Sequence, residues 1–256
     1  FRRDTGWNVI GELGGCGATS GERAVVVGSH YDGFEFSPSA TDNAAGTAVL
    51  MEAARALAEQ RRFLGRAVKF VCFAGEEEGL LGSTAFVEMH RDELDKLDFM
   101  LNLDCSGTVG PKALRLHAWP AVVPHVHRIL DGIDGLGVDD WFSYRSDHFP
   151  YWSEGISTGY GFGGKNRLGR YQHTEADTAD KIQQQGIQVD ALLTARLVLR
   201  LSRDDEWPQH RLSRSEVRDE YARIGIFDEA PPLAPTTHSG DRLVFVNRAV
   251  SAAPEA

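Results

Sequence analysis

The sequence predicts a mixed, mostly parallel α/β sheet with helices on both faces, a three-layer sandwich, and three observations carry that reading. Short continuous apolar runs recur at residues 24–29, 67–74 and 99–103. Such runs suit strands buried on both faces better than half-exposed ones, which alternate. Stretches with helical spacing separate them, as at 43–60, where Val49, Leu50, Ala53 and Leu57 share one face. Each apolar run also stops at a polar cluster, and open α/β sheets bind ligands beyond the carboxyl ends of their strands.

In chain order, residues 8–13 suit an edge strand and 14–21 a Gly/Ser/Thr loop. The run 24–29 closes on His30-Tyr31-Asp32-Gly33, and the helix 43–60 follows. The run 67–74 closes on Gly75-Glu76-Glu77-Glu78-Gly79 before a helix at 80–90. The run 99–103 closes on Asp104, and 114–119 reads as a fourth strand. Helices are expected at 120–130, with Pro near the start, and at 146–153. A strand at 156–162, a loop to His173 and a long amphipathic helix at 179–203 complete the pattern. Beyond residue 203 the texture changes: 207–227 is charged with one helix-like piece, 229–237 is Pro-rich, and 242–248 has a strand pattern. The expected organisation is a main domain at 1–203 and an extension at 204–256, packed on it or partly mobile.

The chain has 256 residues, 42% hydrophobic and 25% charged, enough for a sizeable core. Its net charge of −10 speaks against nucleic acid as a partner. No apolar run reaches the roughly 18 residues of a membrane span. The three cysteines, Cys16, Cys72 and Cys105, are too few and scattered for a disulfide framework or a Cys-rich zinc site. Phe1 stands where an initiator Met would, so truncation or processing at the N-terminus is expected. Oligomeric state is left open.

His30, Glu76, Glu77 and Asp104 all follow strand ends, Asp42 precedes a helix, and His173 lies in the loop after another strand. Two imidazoles and several carboxylates match the nitrogen and oxygen preferences of zinc. Singly, each has a plainer explanation: Asp42 suits a helix cap, and the acidic run suits a solvated helix start. Convergence on one rim is what makes metal binding the better account.

Six segments carry a family resemblance. SHYDG at 29–33, ATDNAAGTAVLMEAARALA at 40–58, VKFVCFAGEEEGLLGS at 68–83, MLNLDCSG at 100–107, SDHFPYW at 146–152 and HTEADT at 173–178 occur in order. Together they resemble the M28 family of co-catalytic zinc aminopeptidases. The resemblance implies a zinc-exopeptidase (phosphorylase/hydrolase-like) fold over the main domain, two zinc ions and a peptide or amino-acyl substrate. It implies that Asp42 bridges the ions, His30 and Asp104 complete one, and Glu77 and His173 the other. Glu76 is then the general base for water activated between the metals. The Asp42–Asn43 peptide is expected to be cis. Asp32 is expected to orient His30, and Asp177 either to orient His173 or to cap the following helix.

The substrate pocket is expected at Asp147, Phe149, Tyr151, Trp152, Gln172 and the loop from Tyr160 to Arg170, with His148 structural. Gln172 stands where some family members carry a tyrosine. Arg145, Lys165, Arg167 and Arg170 are surface cations or partners for a substrate carboxylate. A secreted or periplasmic location follows from the resemblance alone. The alternatives are a carboxypeptidase of the same fold, a zinc glutaminyl cyclase, or a binding module on an inactive scaffold. The complete set of five ligand candidates and Glu76 speaks against the last.

Overall fold

Val25 and Val27 face one core and Ala24 and Val26 another, so strand β2 (Ala24–His30) is buried on both sides. This is the arrangement its unbroken apolar run calls for. A computed structural model describes residues 5–16, 23–140, 142–162, 168–208, 211–225 and 246–250. Strands β1 (Trp7–Leu13), β3 (Ala67–Phe73), β4 (Leu97–Asn102), β5 (Lys112–His117), β6 (Leu136–Asp140), β7 (Thr158–Tyr160) and β8 (Val246–Val250) join β2 in one eight-stranded sheet. The strand order is β6-β5-β7-β4-β2-β3-β1-β8. Pairing is parallel except for β1 with β3 and β5 with β7.

Helices α1 (Ala45–Glu59), α3 (Val123–Leu130) and α5 (Gln184–Ser202) cover one face through Val49, Leu57, Val126, Ile129, Leu197 and Leu201. Helices α2 (Leu81–Met89) and α4 (His148–Ser153) cover the other through Phe86, Val87 and Tyr151. The two clusters enclose the sheet, which makes three layers. Close packing sets some residues: a Cβ at Gly82 would lie 2.5 Å from the Ala74 carbonyl oxygen, so α2 approaches β3 this closely only through glycine.

Several expectations shift. Strand β1 is not at the edge, because β8 pairs with it on the outside. The expected strand at 242–248 overlaps β8 only in part, and 242–245 lie outside the described residues. Strand β6 was not foreseen; its sequence LGVDD carries little apolar signal, and its parallel pairing to β5 defines it. The long helix starts at Gln184 after a separate short turn at Ala179–Lys181. Helix α6 (Arg214–Ile224), with a Ser213/Glu216 capping box, buries Val217 and Tyr221 against Trp119, Phe149 and Trp152.

Candidate metal centre

Strand β2 lies between β3 and β4, in parallel register, with His30 opposite Phe73 and Gly28 opposite Asn102. Parallel neighbours end at one edge, so His30, the Glu76–Glu77 turn after β3 and Asp104 after β4 arrive together. Asp42 joins them from a helical turn at Ala40–Ala44, broken by the non-helical dihedrals of Asp42 and Asn43, whose shared peptide is cis. His173 comes from the turn after β7, with a left-handed φ of 57°.

The carboxylate of Asp42 lies between the two imidazoles. Its Oδ1 is 3.1 Å from His30 Nε2 and its Oδ2 3.3 Å from His173 Nε2. Asp104 Oδ1 is 3.6 Å from His30 Nε2, and Glu77 Oε2 is 3.0 Å from His173 Nε2. Two groups of donors result, His30–Glu76–Asp104 and Asp42–Glu77–His173, the atoms of each within 4.8 Å of one another. A third such group is Asp42–Asp104–Cys105. His30 Nε2 and Glu77 Oε1 are buried with no hydrogen-bond partner. Buried polar atoms are nearly always satisfied, and these two point into a nitrogen and oxygen donor set that suits zinc. The residues fit a metal.

The surrounding side chains hold these donors. His30 Nδ1 lies 3.3 Å from the Asp32 carbonyl and 3.6 Å from Asp32 Oδ1, while Asp32 Oδ2 accepts the Glu77 backbone N–H at 3.2 Å. The Asp177 carboxylate accepts from Thr41 N–H (2.9 Å), Thr41 Oγ1 (2.6 Å) and Asp42 N–H (3.1 Å). It therefore steadies the Asp42 turn, neither orienting His173 nor capping a helix as expected. Residues that sequence reasoning passed over also contribute. Ser146 Oγ donates to Asp104 Oδ2 at 2.7 Å, Asn43 Nδ2 donates to the Leu103 carbonyl at 2.9 Å, and Phe34 stacks on His173 at 4.5 Å. Ser146 and Asn43 sat inside quoted motifs; nothing in the sequence marked Phe34.

Electrostatics at the site are one-sided. Burial pushes the Glu76 carboxyl up to about 10, with Asp104 and Asp147 adding to it. Burial and then Asp42 push Glu77 up to about 7. Asp147 rises to about 7, mainly through burial. Burial opposes a charged His30, but Asp104, Asp32 and Asp42 outweigh it and raise its pKa well above normal. Asp104 is lowered despite its burial, because His30, the Cys105 thiol and Ser146 stabilise its charge. Carboxylates crowded this closely call for a cation.

A cavity of about 600 Å³ opens over these donors, walled by Leu80, Tyr144, Arg145, Phe149, Tyr160 and Gln172. Gln172 Nε2 donates to Asp42 Oδ2 at 3.0 Å. Three expected pocket residues are absent from its wall. Tyr151 is buried against Phe73 and Phe86, Trp152 packs with Trp119 and Tyr221, and Asp147 is fully buried. The reason is helical geometry: adjacent positions on α4 face different ways, so Phe149 meets the cavity while Tyr151 and Trp152 face the core. His148 is structural as expected, with its Nε2–H donating to the Ser143 carbonyl at 2.8 Å. Lys165 and Arg167 lie outside the described residues.

With this geometry in place, comparison with known proteins is direct. The model of peptidase family M28 matches residues 8–198. The chain belongs to peptidase family M28. This M28 member is 30% identical over 199 residues to Aminopeptidase YwaD of Bacillus subtilis, spanning 72% of this chain and 42% of that protein. It is 38% identical over 109 residues to Leucine aminopeptidase 2 of Trichophyton equinum, spanning 42% of this chain and 21% of that one. Among solved structures it superposes on BSAP, a zinc aminopeptidase from Bacillus subtilis, with a TM-score of 0.59 and 28% identity. That match covers 69% of this chain and 45% of the other. The chain thus spans less than half the length of these relatives. No described helix is long and apolar enough to cross a membrane.

Proposed function

We propose that this M28 member is a zinc-dependent exopeptidase that removes residues from the amino terminus of peptides. The observation that carries the reading is the Asp42 carboxylate, whose two oxygens each face a different imidazole. Asp104 stands beside one imidazole and Glu77 beside the other. Two ions would account for that geometry: His30 and Asp104 would hold one, Glu77 and His173 the other, and Asp42 would serve both. Charge supports the count. Three carboxylates leave the pair of divalent ions slightly positive, which suits a hydroxide-like nucleophile. The zinc aminopeptidase among its structural relatives supports zinc as the metal.

Bound zinc would acidify water and polarise the scissile carbonyl. The remaining work belongs to the chain. Glu76, half-buried beside the donors, takes a proton from the attacking water and returns it to the leaving amine. Ser146 holds the carboxylate of Asp104, and Asp177 holds the backbone of Asp42; such supporting bonds orient ligands. Phe149, Leu80 and Tyr160 give the cavity an apolar wall for a substrate side chain.

Aminoacyl-anilides and N-blocked dipeptides, assayed with and without added zinc, test the reading. Zinc-dependent release of free amino acid from the anilides is expected. Turnover confined to N-blocked dipeptides means a carboxypeptidase, and ammonia release from an N-terminal Gln peptide means a glutaminyl cyclase. A purified protein that binds no metal on elemental analysis ends the case.

A further inference from the structure

Arg145 is the one permanently cationic side chain among the described residues that line the cavity, whose floor is formed by Asp42, Glu76, Glu77 and Asp104. It makes no ion pair with any described residue; its guanidinium lies 5.6 Å from the centre of the Tyr144 ring. An arginine beside four carboxyl groups that pairs with none of them is available to a ligand.

The loop that carries Arg145 is tied to the site on both sides. Ahead of it, the Ser143 carbonyl accepts from His148 Nε2 at 2.8 Å, and the Arg145 N–H donates to Ser143 Oγ at 3.1 Å. Behind it, Ser146 accepts from Asn102 Nδ2 at 2.6 Å and donates to Asp104 Oδ2 at 2.7 Å. Ser146 and His148 are buried. The loop backbone at Arg145 is therefore held relative to Asp104 by the fold, and Arg145 itself is exposed. A preplaced guanidinium recognises carboxylate geometry through paired N–H donors. Polar groups placed singly in an apolar cavity are what orient a ligand.

We propose that Arg145 selects substrates carrying a carboxylate within a residue or two of the scissile bond. That carboxylate is either the α-carboxylate of a dipeptide or tripeptide or an acidic side chain. The inference rests on the exopeptidase reading and narrows its substrate class. A short peptide is held at two points, its scissile carbonyl over the acidic floor and its carboxylate at the wall. About 7 Å of extended chain separates groups two residues apart, and Arg145 and the acidic floor line the same cavity of about 600 Å³.

Three substrates test this: Leu-Ala, Leu-Ala-amide and Leu-Asp-amide, with the native enzyme, Arg145→Gln and Arg145→Lys. Native kcat/KM is expected to favour Leu-Ala over its amide by about tenfold, as charge-assisted recognition implies. The preference should lie mainly in KM. In Arg145→Gln the acid-to-amide ratio falls to near one, and Arg145→Lys keeps part of it. A gain for Leu-Asp-amide over Leu-Ala-amide that Arg145→Gln abolishes assigns recognition to side-chain carboxylates as well. Native enzyme that ranks all three alike, or a preference that survives in Arg145→Gln, overturns the proposal. Hydrolysis of Leu-Ala-amide stands for the exopeptidase reading, so its loss together with that of Leu-Ala counts against that reading instead.

Discussion

Strands β2, β3 and β4 carry charge at both ends, and the two ends are built differently. At their amino ends Arg66 Nε lies 2.6 Å from Asp98 Oδ2, and Arg23 Nε donates to Asp98 Oδ1 at 2.7 Å. Arg66 also donates to the carbonyls of Leu201 (3.0 Å), Ser202 (3.2 Å) and Asp204 (2.7 Å). There each buried charge has a counter-charge and the guanidinium has acceptors on the end of α5. At the carboxyl ends, His30 faces Asp42 and Asp104 while Glu76 and Glu77 crowd in, so carboxyl groups outnumber the groups that could neutralise them. One cluster matches its carboxylate with two guanidinium groups, while the other gathers four carboxyl groups around two imidazoles with no guanidinium or ammonium paired to them among the described residues. The difference separates a structural ion pair from a candidate metal site on the same strands, although both are charged and largely buried.

The comparison can be broken first at Glu76. Replacing it with Gln keeps the shape and is expected to lower kcat by about a thousandfold with zinc content unchanged. Assays paired with elemental analysis decide it, and near-normal turnover removes Glu76 from the proton-transfer role. Asp98→Ala, at the opposite end, should do the reverse. Leaving Arg66 buried without its partner costs about 3–5 kcal/mol of stability, read from denaturant melts, while turnover per folded molecule stays the same.

Chelation sharpens the contrast. Removing metal should lower the Tm of the native protein, by an amount equivalent to about 3–4 kcal/mol where zinc was near-saturating. In Asp42→Ala the chelator should have much less to remove, and an unchanged native Tm counts against metal-coupled stability.

A smaller effect concerns pH. Burial lowers the pKa of His148 to about 4, from an ordinary value of 6.5. Below about 6.5 the unfolded chain takes up a proton that folded His148 refuses. Its contribution is therefore complete above that pH and is lost as pH falls toward 4. The slope is about 1.4 kcal/mol per pH unit for one proton. Urea melts across this range should show a shallower slope for His148→Gln than for the native protein. Smallest of all, Arg55→Ala removes an exposed ladder with Glu52 and Glu59 and should leave Tm unchanged, as solvent screens such pairs.

Strand ends and site residues were legible to very different degrees. The runs that became β2, β3 and β4 were plain because both faces of each pack against core, so most of their positions are apolar. For the same reason β6, at the edge of the sheet, was invisible. The five candidate metal donors and Glu76 stood out as polar residues placed after apolar runs or beside helix starts and loops. The direction each side chain takes was not written there. SDHFPYW marked a segment near the site, but which of its residues meet the cavity depends on how α4 sits against α2 and α6.

The sequence alone determined the strand and helix pattern of the sheet core, the family and the residues able to bind metal, because each rests on local periodicity or on side-chain chemistry. Only the tertiary structure decided that Asp177 serves Asp42 and that Tyr151 and Trp152 belong to the core. It also decided that Arg145 stands on the cavity wall with no ion pair among the described residues. Those facts come from contacts between segments far apart in the chain, and no run of neighbouring residues encodes them.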